Sequence, residues 1–203
     1  LKQRLSITDT DPAKRRDAVR FVSEIIDVAA EFDAPAIIGS MQGQTSDGGH
    51  RSESLAFLAD SLHELGNHAN RHGQVLLYEP LNRYETNLLN TQEEAAKYLI
   101  EHSLVDSGVR LLCDLFHMNI EEVHVPKTIT RLGSLRSDLI GHVHWADSNR
   151  RAMGLGHTNS HAIFEALDAV GYDGYLAAEV FPLPSAAEAA TQTISSIEVS
   201  ASS

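Results

Sequence analysis

The chain has 203 residues, 42% hydrophobic and 22% charged, and a formal net charge of −12 from 28 acidic and 16 basic side chains. That length suits one large domain, residues 1–203, and the acidic balance argues against a nucleic-acid partner, which needs a basic face to displace counterions. No apolar run nears the roughly 20 residues that span a bilayer, and no apolar segment follows Leu1-Lys2-Gln3-Arg4-Leu5 to make a signal peptide.

The single cysteine, Cys113, fits a reducing, cytoplasmic setting without disulfides. Eleven histidines direct attention to metal or proton chemistry.

In chain order, Asp11 before Pro12 reads as a helix cap with proline in the first turn. Ala18, Phe21, Val22, Ile25, Ile26 and Ala29 then recur at helical spacing. A short apolar strand at 36–39 leads through a Gly-rich loop, Gly43 to Gly49. The next helix carries Leu55, Leu58, Leu62 and Leu65 on one face and closes at Gly73. A strand at 75–78 follows. Thr91 and Glu94 form a capping-box pattern opening a third helix. Strand 109–113, helical segments from about 119 and 127, and strand 140–145 come next. A helix through Ile163, Leu167 and Val170 ends at Gly171. The last strand is read as Tyr175 to Val180, before an Ala-rich helix from about Ser185 into a Ser-rich end.

Strands starting near 36, 75, 109, 140 and 175 are 39, 34, 31 and 35 residues apart, which makes five βα units. Short, nearly all-apolar strands at that beat indicate a parallel sheet covered by helices, as in a doubly wound sheet or a TIM barrel. No Gly-x-Gly-x-x-Gly follows any strand, so the dinucleotide-binding version loses support.

The last four strands each end in a metal-competent side chain: Glu79, Asp114, His144 and Glu179, separated by 35, 30 and 35 residues. In a parallel sheet equivalent strand ends lie side by side, so these four are expected to converge at the C-terminal face. Taken singly, each has a plain reading as a solvated loop carboxylate or a hydrogen-bonded histidine. In register they predict one metal site. Three carboxylates and an imidazole make an oxygen-rich set suited to Mn²⁺, with Mg²⁺ or Co²⁺ as alternatives. An ion chelating adjacent carbonyl and hydroxyl oxygens acidifies the C–H between them, and a neighbouring carboxylate can take and return that proton.

Three motifs resemble the D-tagatose 3-epimerase group of the xylose isomerase-like TIM barrels, the sugar phosphate isomerase/epimerase superfamily. They are Glu79-Pro80-Leu81-Asn82-Arg83-Tyr84-Glu85, Cys113-Asp114-Leu115-Phe116-His117-Met118-Asn119, and the stretch from His142 to Arg150. Tyr172-Asp173-Gly174-Tyr175, leading to Glu179-Val180, is similar to that group's last strand. The resemblance implies an α/β TIM (β/α)₈ barrel and a metal-dependent isomerase that epimerises a ketose at C3. It puts the metal on Glu79, Asp114, His144 and Glu179, with Glu79 and Glu179 also the paired acid and base. It assigns Glu85, His117 and Arg150 to substrate oxygens and suggests a homo-oligomer. His142 shares a strand face with His144, which is preferred as ligand for lying nearer the strand end. His157 is read as a loop histidine, and His50, His63, His68, His72, His102, His124 and His161 as solvated.

Five units are three short of a closed barrel, so the expectation is an N-terminally truncated fragment holding strands 4 to 8. Competing readings are an isomerase or lyase for a phosphorylated sugar or inositol derivative, an AP endonuclease IV-like nuclease, and an inactive remnant. The nuclease needs an Asp-x-His pair where this chain reads Gly156-His157-Thr158-Asn159.

Overall fold

The computed structural model describes residues 5–45 and 49–201. The readings on residues 1–4, on 46–48 of the Gly-rich loop and on the last two serines fall outside them. The chain divides into two compact units, Leu1–Asn90 with Glu94–Leu111, and Thr91–Glu93 with Leu112–Ser203.

In the first unit, helix α1 (Pro12–Ala30) starts where the sequence says, with the Asp11 carboxylate accepting the Ala13 N–H at 2.8 Å. It buries Ala18, Val19, Val22 and Ile26, whereas Ile25 stays 40% exposed, so the buried stripe is narrower than the apolar spacing. Strand β1 (Ala36–Ile38) runs into a 3₁₀ turn at Ser40–Gln42. Helix α2 (Arg51–Arg71) fully buries Leu58, Leu62, Leu65 and Ala69. Each such leucine contributes about 1.5–3 kcal/mol over an exposed one. A Cβ on Gly66 would sit 2.6 Å from the Ser107 carbonyl oxygen, so the bare glycine is what lets α2 lie this close to its neighbour. Gly73, just past the end of α2, takes φ 72°.

Strand β2 (Leu76–Tyr78) is buried throughout and pairs in parallel with β1, Ala36 opposite Leu76 and Ile38 opposite Tyr78. On its other side it pairs in parallel with the start of β3 (Val109–Asp114), Leu76 opposite Val109. Helix α3 (Gln92–Glu101) begins just after Thr91.

The second unit holds the end of β3, α4 (Leu115–Glu121), α5 (Val125–Leu135), β4 (Ile140–His144), α6 (Ser160–Ala169), β5 (Leu176–Ala177) and α7 (Ala186–Ala201). Its strand order is β3-β4-β5, with β4 and β5 parallel and His144 opposite Ala177. Trp145 is fully buried and its indole N–H donates to Ser196 Oγ at 3.0 Å, tying β4 to α7. A Cβ on Gly133 would come 2.5 Å from Val170, so α5 and α6 pack closely there.

Three elements differ from the sequence reading by more than a residue. Helices α4 and α5 begin at 115 and 125 rather than near 119 and 127, because Asp114 and His124 act as their caps and Pro126 falls in the first turn of α5. Strand β5 is two residues long rather than six. The Trp145 N–H still reaches the Ala177 carbonyl at 2.7 Å, but beyond it the chain leaves the ladder and the Phe181 N–H turns to the Arg150 carbonyl at 2.7 Å. Glu179 therefore lies on irregular chain past the strand.

Candidate metal centre

Strand β3 delivers Asp114 fully buried, and the first turn of α4 fixes its orientation. Asp114 Oδ1 accepts the N–H groups of Phe116 at 2.8 Å and His117 at 3.1 Å, which leaves Oδ2 facing His144 Nδ1 at 3.1 Å. His144, 7% exposed at the end of β4, meets Glu179 Oε2 with the same ring nitrogen at 2.9 Å. Glu179 Oε1 is held by Arg150 Nη2 at 2.7 Å. The hydrogen bond from His144, reinforced by the Arg150 charge, outweighs partial burial and holds the Glu179 carboxyl at about 2.

Arg150 is positioned by backbone as well as charge. It sits in the left-handed region at φ 58°, uncommon for a side chain other than glycine. Its guanidinium lies 4.9 Å from the Phe116 ring centre and 3.5 Å from His117 Nε2. The loop carrying it is organised by Asp147, which is fully buried and accepts the N–H groups of Ser148 at 2.7 Å, Gly154 at 2.7 Å, Gly156 at 2.8 Å and Thr158 at 3.0 Å. Burial alone would raise the Asp147 pKa, but donors from Thr158, Ser148 and Gly156 bring it down to about 2.

In the first unit, Glu79 follows β2 directly and is 6% exposed, its N–H donating to the Ile38 carbonyl at 3.0 Å. Gln42, fully buried, spans the ends of β1 and β2. Its Nε2 donates to the Gly39 and Glu79 carbonyls, both at 3.0 Å, and its Oε1 accepts from the Tyr78 hydroxyl at 2.6 Å. Gly39 makes room for the acid, since a Cβ there would lie 2.6 Å from Glu79 Oε2. Glu85, in the loop after β2, is exposed and accepts from Asn82 at 3.1 Å.

Within the second unit the expected residues Asp114, His144 and Glu179 come together, with ligand atoms all within 4.8 Å of one another. The donor chemistry fits a divalent ion. One N–H serves one strong hydrogen bond, yet two carboxylate oxygens converge on His144 Nδ1. Bonds of about 2.1 Å set neighbouring donors of an octahedron about 3 Å apart, and the observed spacings are 3.1 and 2.9 Å. His142 stands edge-on to His144, 5.4 Å between ring centres, and belongs to neither ligand pair. His157 lies in a loop, as read, and is exposed.

His68 is half-buried and so departs from the solvated reading, whereas His72 is exposed in keeping with it; both imidazoles pair with Asp27. Sequence reasoning also passed over Gln42 and Asp147. Asp147 could have been noticed as an acid amid Gly154, Gly156 and Thr158, a composition that supplies free N–H groups. No local pattern marks Gln42.

The family of xylose isomerase-like TIM barrels matches residues 2–198, and the chain belongs to it. It is 40% identical over 122 residues to a 3-dehydro-D-guloside 4-epimerase of Escherichia coli strain K12, covering 60% of this chain and 44% of that protein. It is 30% identical over 184 residues to a ketose 3-epimerase of Arthrobacter globiformis, covering 89% of this chain and 61% of that one. The chain thus spans about half to three fifths of these two relatives. Among solved structures, the apo 3-keto-D-glucoside 4-epimerase of E. coli aligns with TM-score 0.79 at 28% identity, over 98% of this chain and 75% of that chain. A D-allulose 3-epimerase of Methylomonas sp. aligns with TM-score 0.83 at 25% identity, over 98% and 74%. No helix among the described residues is long and apolar enough to cross a membrane.

Proposed function

We propose that the protein is a divalent-metal-dependent sugar epimerase that inverts the hydroxyl-bearing carbon beside a ketone, with a ketose epimerised at C3 as its substrate class. The observation that carries this is the convergence of Asp114 and Glu179 on His144 Nδ1 at 3.1 and 2.9 Å, in a member of this barrel family whose named relatives are epimerases. Glu79 is the fourth ligand in this reading, as the buried acid that follows β2 just as Asp114 ends β3 and His144 ends β4. The hard donor set favours Mn²⁺, with Mg²⁺ or Co²⁺ as substitutes. When bound, such an ion supplies Lewis acidity to the substrate's carbonyl and adjacent hydroxyl oxygens.

Glu79 and Glu179 are the proton-transfer pair. One carboxylate removes the proton beside the ketone, leaving an enediolate, and the other delivers a proton to the opposite face, so the centre inverts. Glu179 is kept ionised at neutral pH by His144 and Arg150. Glu85, His117 and Arg150 hold substrate oxygens, and Arg150 also steers the Glu179 carboxylate through their 2.7 Å ion pair. A cytoplasmic homo-oligomer completes the reading. The 40% relative favours a second substrate class, a glycoside oxidised to a ketone at C3 and epimerised at C4. The chemistry is the same and only the carbon differs.

The test is incubation of free ketoses and 3-keto-glycosides with Mn²⁺ in D₂O. Deuterium is expected at the inverted carbon. Glu179→Gln is expected to abolish inversion while retaining part of the metal, because the amide oxygen still coordinates. Turnover of neither class, or product without deuterium, would overturn the two-carboxylate reading.

A further inference from the structure

We infer that Asp27, His68 and His72 form a second divalent-metal site, on the surface of the first unit, for a borderline transition ion such as Ni²⁺, Zn²⁺ or Cu²⁺. The three ligand atoms lie within 4.8 Å of one another. His68, in the last turn of α2, and His72, the residue that caps its C-terminus, are four positions apart, which brings both imidazoles to the same side of the helix end. Asp27 reaches them from α1, its Oδ1 lying 2.6 Å from His68 Nε2 and 2.9 Å from His72 Nε2. The ring centres are 5.2 Å apart. Bonds of about 2.0–2.1 Å separate neighbouring donors by about 2.9 Å in a square or octahedral arrangement and by about 3.3 Å in a tetrahedron. The two Asp27–imidazole spacings need to open by at most about 0.3 Å for the first arrangement and by about 0.4–0.7 Å for the second.

Two imidazoles and one carboxylate make a softer donor set than that of Asp114, His144 and Glu179, and such sets bind Ni²⁺, Cu²⁺ and Zn²⁺ ahead of Mn²⁺. Asp27 and His72 are exposed and His68 half-buried, so water can fill the remaining positions. Glu24 and Glu31, one turn to either side of Asp27 on α1 or at its end, add negative charge nearby. One neighbour opposes the ion. Arg71 Nη2 donates to His68 Nδ1 at 2.9 Å, and an imidazole that coordinates through Nε2 carries its proton on Nδ1 and can no longer accept. Loading therefore requires Arg71, an exposed side chain, to swing away.

Equilibrium dialysis of the full chain against Ni²⁺, with the bound metal counted, tests the site. Wild type is expected to bind two equivalents, and His72→Gln and Asp27→Asn one each, with the second binding step weakened at least about tenfold, the least that loss of a mere supporting residue costs. Arg71→Gln is expected to bind the second equivalent several-fold more tightly than wild type, which a simple ion-pair clamp between helices would not produce. His144→Gln is expected to lose only the other equivalent, so failure of the proposed catalytic centre and failure of this one are read in separate variants. The inference is overturned if His72→Gln and Asp27→Asn both retain the wild-type stoichiometry, or if Arg71→Gln leaves binding unchanged.

Discussion

A methyl group on Gly39 would come 2.6 Å from Glu79 Oε2, with Gln42 bonded to the carbonyls of both residues. The atom displaced is the end of a flexible side chain, so Gly39→Ala is expected to cost less than about 1 kcal/mol of stability. Because the carboxylate itself must move, Mn²⁺ affinity measured by calorimetry is expected to fall about 10- to 100-fold. Unchanged affinity would remove Glu79 from the ligand set. Some of this was legible residue by residue. Asp114 stands out because it closes the apolar run Leu111 to Cys113, where a polar side chain needs a reason, and His144 because it ends the next strand in register with it. Gln42 does not, since its partners Tyr78 and Glu79 are more than thirty-five positions away and nothing near it in sequence announces them.

At the scale of elements, the loop from Asp147 to Thr158 depends on one carboxylate accepting four backbone N–H groups. Asp147→Ala leaves those part-buried donors without their acceptor, and a loss of about 3 kcal/mol is expected. The folded-state pKa of about 2 lies below the ordinary value of 3.8. Its stabilising contribution is therefore complete above about pH 5 and lost as pH falls through about 2, worth about 2 kcal/mol in total. The difference in melting free energy between wild type and Asp147→Asn is expected to be flat from neutral pH to about 5 and to shrink below 4. A difference that grew on acidification would contradict the assignment. Among the described residues the periodicity found the seven α-helices and the five strand starts to within a few residues. It misjudged β5 because Tyr175 to Val180 is a short, nearly all-apolar run like the other strands, while the pairing that defines one stops at Ala177. The bond from the Phe181 N–H to the Arg150 carbonyl, which redirects the chain there, joins segments thirty-one residues apart.

For the molecule as a whole, a net charge of −12 is a reservoir of self-repulsion, and carboxylates such as Asp114 and Glu179 held near one another add to it locally. Binding a cation relieves part of this. With Mn²⁺ at about 100 times its dissociation constant, folded-state binding adds about 2.7 kcal/mol, which for a chain of this size raises the melting temperature by about 5–10 °C. Chelation is expected to reverse the rise in wild type and to leave His144→Gln unaffected. An equal response in both proteins would place the stabilising ion elsewhere. A parallel α/β sheet was readable at this scale from the βα beat, which left a doubly wound sheet and a TIM barrel open, and the family match over residues 2–198 decides for the barrel. The sugar was not readable, because substrate choice depends on which side chains surround the reacting carbon, and neither spacing nor register encodes that.

The two oxygens of Asp114 are committed to different tasks, Oδ1 to the first turn of α4 and Oδ2 to His144. This narrows the paths by which the site can be retuned in laboratory evolution. A histidine or cysteine at 114 offers a donor to a softer metal but no second oxygen to the helix, and a glutamate carries its carboxylate one methylene too far for both. Glu179 is under no such double obligation, since His144 and Arg150 grip it through side chains alone. Variants with altered metal preference are expected to arise at 179 and to be absent at 114.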